Sequence, residues 1–185
     1  GFGARDSSKD DTVFLARTKR TVANHMEGML LYVPLAIIAH LKQDNIEKSE
    51  LLFSLASIYQ AQADYTSAES LFLLVLHIKE TDYGKFNVKL LGTLNSLASL
   101  KKSVNDLDEA LEYNLRSLDI SQKSLGPKHL GTSVAIGNLA CVYKLKGEYV
   151  KALDLYRQAL AINEAELEPT HAHVTMTLNR VAHLL

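Results

Sequence analysis

Cysteine, proline and surplus charge are all scarce in this chain, and each scarcity removes a class of protein. Cys141 is the one cysteine in 185 residues, so no internal disulfide can form, which fits a reducing compartment such as the cytoplasm. Lys and Arg number 20 against 21 Asp and Glu. A net charge of −1 creates no field to hold the whole chain on nucleic acid or an anionic membrane, so neither is expected as a partner. The apolar runs at 29–38 and 71–78 are too short to cross a bilayer, and no basic start followed by a small-residue cleavage site marks a signal peptide. Phosphate-cradling glycine loops, Gly-x-Ser-x-Gly and His-Glu-x-x-His are missing as well, so neither catalysis nor a cofactor is expected.

Three prolines and nine glycines are few helix breakers for this length. Apolar residues recur at i, i+3 and i+4 from residue 12 onward with little period-two alternation, so the expected fold is all-α. The pattern also repeats over a longer distance. Ala56, Ala98 and Ala140, each preceded by Leu, stand 42 residues apart. The register predicts helix pairs at about 47–61 and 65–79, 88–103 and 107–124, and 132–145 and 148–166, with a last helix from about 173. Residues 1–10 read as a linker and 11–46 as a divergent N-terminal element, where Pro34 predicts a kink or break. The array then occupies 47–185, divided at about 47–86, 87–130, 131–171 and a partial 172–185. An incomplete last unit leaves an apolar face uncovered, because each unit relies on its neighbour to bury it. In the second repeat Lys101 and Asn114 replace the aromatic residues found at Tyr59 and Phe72, so this repeat is expected to be the softest.

Inter-repeat loops share a pattern: Tyr83-Gly84-Lys85-Phe86-Asn87, Leu125-Gly126-Pro127-Lys128-His129 and Leu167-Glu168-Pro169-Thr170-His171. Gly84 and Gly126 suit the left-handed residue that ends a helix. His129 and His171 are expected to brace the next helix start, with Phe86 standing in the histidine's place in the first loop. His171 and His173 lack a converging Cys or carboxylate set, so no metal site is expected.

Leu55-Ala56…Tyr59…Ala68…Phe72 and Leu139-Ala140…Tyr143…Ala152…Tyr156 resemble the tetratricopeptide repeat, whose usual period is about 34. The longer period and the Leu-Gly-Pro-x-His loop are similar to those of kinesin light chain and nephrocystin-3-like proteins, with Leu130 and Ala172 where that family has proline. The resemblance implies a right-handed superhelical solenoid whose first helices line a concave groove that takes a linear peptide, acidic around an aromatic residue. It makes the chain a non-catalytic adaptor. Candidate groove residues on those helices are Ser54, Asn95, Ser99, Lys102, Asn138, Cys141, Lys144, Asn179 and Arg180. Asparagine can bond an extended backbone through both donor and acceptor atoms, while Lys102, Lys144 and Arg180 would favour acidic ligands. A self-associating or autoinhibitory segment is the alternative, as a homodimer through the N-terminal element or the open C-terminal end, or with 11–46 lying in the groove.

Overall fold

A computed structural model of the protein describes residues 45–184. The expected linker and N-terminal element, with Pro34 and the run at 29–38, lie outside the described residues apart from the two that open the first helix. Among the described residues there are seven α-helices and no strand. They are α1 Asn45–Ala61, α2 Tyr65–Tyr83, α3 Leu91–Ser103, α4 Leu107–Ser124, α5 Leu130–Leu145, α6 Tyr149–Glu166 and α7 Ala172–Ala182. A single 3-10 turn, Val88–Leu90, leads into α3. Consecutive helices pack as antiparallel pairs, each pair on the next, giving the expected all-α superhelical solenoid.

Each pair reverses direction through the same device. Ala63, Asn105 and Gly147, spaced by the repeat, take φ values of 61°, 60° and 79°. Asp64 and Asp106 then accept from the amides of Ser67 (3.1 Å) and Glu109 (3.2 Å), which caps the second helix of the pair. Glu148 makes no such cap and instead binds Lys151 at 2.5 Å. Left-handed backbone is unfavourable for any residue with a Cβ, and Ala63 has no side-chain oxygen to compensate. Ala63→Gly should therefore stabilise the protein by about 1 kcal/mol, less the extra freedom glycine gives the unfolded chain. A urea midpoint that stays put or falls would refute this.

Inter-repeat connections are equally regular. Gly84 and Gly126 end α2 and α4 with φ of 84° and 100°. The His129 ring accepts from the Gly131 amide (2.9 Å) and the His171 ring from the His173 amide (3.2 Å). In the first loop this place belongs to Asn87, whose Oδ1 accepts from the Lys89 amide at 3.0 Å, and not to Phe86. The expected correspondence was one residue off, since Asn supplies the same acceptor as a histidine Nδ1.

Small residues let the helices approach: Ala56, Ala98, Ala140 and their partners Ala68, Ala110 and Ala152 are all fully buried. Phe72 and Tyr156 fill the space beside them, and Asn114 takes their place in the second repeat, its amide donating to the Ala110 carbonyl at 2.9 Å. Lys101 is also buried, and its ammonium lies 2.7 Å from Glu69 on α2 and 2.8 Å from Glu109 on α4. The two substitutions expected to soften this repeat are thus hydrogen-bonded or ion-paired, and Lys101 ties the first repeat to the second.

A second polar knot joins the third pair to α7. Buried Asn163 accepts from the Ser133 hydroxyl (2.5 Å) on α5 and donates to the Thr177 hydroxyl (3.1 Å) on α7. At the end of the described array the pattern lapses. Leu178 is 51% exposed where its counterparts Leu52, Leu94 and Ile136 are buried.

Candidate functional site

The first helices of the pairs, α1, α3, α5 and α7, carry all nine predicted groove residues, arranged by the repeat into columns. Ser54, Asn138 and Arg180 share one column, Asn95 and Asn179 a second, Ser99 and Cys141 a third, and Lys102 and Lys144 a fourth. Each of the nine is half-buried or exposed.

Their surroundings differ. The Ser54 hydroxyl donates to its own helix, to Glu50 at 2.9 Å. Asn95 faces inward more than expected, since its Oδ1 accepts from the Ser117 hydroxyl on α4 at 3.0 Å. That bond ties up an acceptor that a peptide backbone would need. Lys102 and Lys144 have no carboxylate within ion-pair distance among the described residues. Six other cations do: Lys79 with Glu50, Lys101 with Glu69 and Glu109, Arg116 with Glu80, Lys123 with Asp119, Lys146 with Asp108, and Lys151 with Glu148. Charge on the fourth column is therefore left uncompensated.

Arg180 reaches back across the next repeat boundary. Its guanidinium carbon lies 5.8 Å from the centre of the Tyr156 ring, and one nitrogen sits 3.5 Å from the Met176 sulfur. Gly137 adjoins it, and a Cβ there would stand in van der Waals contact, 3.4 Å from the same guanidinium. Arg180 has no carboxylate partner among the described residues either. Burial, and then the neighbouring Cys141 thiol, push the Tyr156 hydroxyl up to about 12, while Arg180 pulls the other way. The phenol is neutral at ordinary pH.

The structure thus gathers Gly137, Cys141, Tyr156 and Arg180 into one patch between α5, α6 and α7. Sequence reasoning placed Tyr156 only in the core and missed its contact with Arg180. The signal was present as glycine at 137 where both counterparts, Asn95 and Asn179, are asparagine. No group of three or more His, Cys, Asp or Glu side chains that could hold a metal is present among the described residues. His171 and His173 stack on one another with ring centres 5.4 Å apart. None of the described helices is long and apolar enough to cross a membrane.

Two family models, both for the tetratricopeptide repeat, match residues 89–165 and 51–83, together more than half of the chain. No curated protein sequence matches significantly. Among solved structures, BtubC (BKLC) from P. vanneervenii superposes with a TM-score of 0.70 at 21% identity, over 78% of this chain and 57% of that one. The nearly identical TPR-like repeats of a candidate kinesin light chain from Podosopora anserina give 0.68 at 23% identity, over 80% of this chain and 71% of that one. The apo form of RapI gives 0.68 at 24% identity, over 77% of this chain and 38% of that one. At these identities the likeness is one of fold.

Proposed function

The chain belongs to the tetratricopeptide repeat family, a fold of protein–protein interaction modules, and from that premise we propose that it binds a linear, acidic segment of a partner protein along its first helices. The observation that carries this reading is the set of cations without carboxylate partners among the described residues. Lys102, Lys144 and Arg180 stand on three successive first helices; six cations elsewhere are neutralised at 3.1 Å or closer, and of the other unpaired ones Lys85, Lys89, Lys128 and Arg157 lie off the first helices while Lys48 lies near the start of α1. Unpaired cations along one wall attract and orient carboxylates, and they do so without chemistry. Asn138 and Asn179 stand beside them with amide groups able to bond an extended backbone.

Labelled acidic peptides should bind with micromolar affinity, more weakly as salt rises, since exposed charges are screened beyond about 8 Å at physiological ionic strength. Lys102→Glu/Lys144→Glu should weaken binding at least tenfold. Equal anisotropy curves for the two proteins would remove the reading. Self-association through α7 is a second reading, favoured by the exposure of Leu178. It would gain support from a dimeric mass that Leu178→Glu returns to the monomer.

A further inference from the structure

The tip of the third hairpin carries three large apolar side chains that the fold leaves in solvent. Leu145 ends α5, Tyr149 and Val150 open α6, and they are 51%, 58% and 76% exposed. The repeat register supplies an internal comparison. Where the third tip has Leu145 the others have Ala61 and Ser103, and where it has Val150 they have Thr66 and Asp108. The counterparts of Tyr149, which are Tyr65 and Leu107, are half-buried. Packing therefore asks for small or polar residues at two of these three positions and for partial burial at the other. An apolar cluster in that place serves contact with something else.

The edge continues into the preceding repeat. Lys146 pairs with Asp108 at the start of α4, which draws the second and third tips together, and Val104 of the second tip is 44% exposed. The carboxylates beside this edge are each engaged within the fold, Asp106 by accepting from the Glu109 amide at 3.2 Å. Asp108 and Glu148 are held by Lys146 and Lys151, while Lys144, next to Leu145, and Lys102, two residues before Val104, have no carboxylate partner among the described residues. A second copy of this tip is a poor occupant, because a two-fold contact would set like cations against each other.

We propose that this tip docks a partner-protein segment in which an apolar side chain adjoins carboxylates. The apolar group covers Leu145, Tyr149 and Val150, and the carboxylates meet Lys144 and Lys102. This rests on the peptide-binding reading and extends the ligand past the ends of the first helices onto the hairpin edge.

The chain contains no tryptophan, so the emission of a single tryptophan in an acidic peptide reports its surroundings without background. Two peptides are titrated, one with tryptophan and one with serine in its place, each also carrying a dye for anisotropy. The proteins are the wild type, Tyr149→Ser/Val150→Ser, and Val150→Asp, which copies the residue of the second tip. Circular dichroism and an unchanged thermal midpoint establish that both variants are folded.

With the wild type, tryptophan emission should move to shorter wavelength on binding. With the variants it should stay at its solvent position, and affinity for the tryptophan peptide should fall about tenfold, while that for the serine peptide holds with Tyr149→Ser/Val150→Ser and falls with Val150→Asp, whose added carboxylate repels both peptides. Equal wavelength shifts and affinities in all three proteins would overturn the tip proposal and leave the peptide-binding reading standing. No binding of either peptide by the wild type would overturn both. A dimeric mass that the variants reduce to a monomer would replace the peptide with a second copy.

Discussion

Asn163→Ala should lower the stability of the array by about 3 kcal/mol, with the damage concentrated in α7. Asn163 is buried, and its side chain joins three helices by accepting from Ser133 and donating to Thr177. Each bond contributes about 1 kcal/mol net, and the vacated space between close-packed helices adds a cavity term of similar size. The Ser133 hydroxyl keeps the Ala159 carbonyl as acceptor (3.1 Å), and the Thr177 hydroxyl, which loses only an incoming donor, still donates to the His173 carbonyl (2.8 Å), so no orphaned donor enlarges the loss. Among the described helices α7 packs chiefly on α6. Hydrogen exchange should accordingly rise in residues 172–182 well before it rises in α3. Uniform exchange across the array, or a loss below about 1 kcal/mol, would show that α7 is held by its apolar contacts alone. Asn163→Asp separates the two halves of the knot, since it keeps an acceptor for Ser133 but buries a charge. Burial raises that carboxyl's pKa, so the variant binds more protons folded than unfolded and gains stability as pH falls.

Lys101→Met should cost about 2 kcal/mol at neutral pH, because it leaves the Glu69 and Glu109 carboxylates facing one another without their shared cation. Both carboxylates are partly solvated, with side-chain exposures of 32% and 49%, which keeps the loss below that of a fully buried pair. Acidification through the carboxylate range should recover most of it. The wild type carries a dependence of the same sign at high pH, where stability again falls as pH rises. Burial alone would depress the Lys101 pKa, but hydrogen bonds to Glu109 and Glu69 outweigh it and hold the ammonium above its ordinary value. The folded protein therefore keeps this proton where the unfolded chain sheds it. The contribution is fully present below about pH 10.4 and declines as the pH climbs beyond that toward the folded value. Tyr156, pushed up to about 12, acts in the same direction. In urea titrations between pH 9 and 11.5 the Lys101→Met protein should lose stability less steeply than the wild type. Parallel curves would mean that the triad contributes nothing to folding.

Much of the fold was legible because the period of 42 repeats every local signal. The observed helices start and stop within a few residues of the expected ones. Gly84 and Gly126 adopt the left-handed backbone foreseen for them, and His129 and His171 brace the helices that follow. These features depend on residues close in sequence. What the register hid are contacts between columns. Lys101 looks like a lost aromatic until the neighbouring helices place Glu69 and Glu109 beside it. Nor does the register show that the Asn95 Oδ1 accepts from Ser117, 3.0 Å away on the facing helix. Arg180 lies over Tyr156 and beside Gly137, whose missing side chain leaves that space open. Which partner a polar group meets depends on helix separation and pitch, and a single sequence carries little information about either.

Leu178 has a consequence for how stability scales with length. Its counterparts in the three preceding units are buried, so one register position contributes differently according to its neighbours in the described array. Most of the free energy of such a chain resides in the junctions and not in the units. An array of this sequence type is then extensive, with each further junction adding a constant increment and the terminal face acting as a fixed deficit. The relative weight of that deficit shrinks as the number of junctions grows.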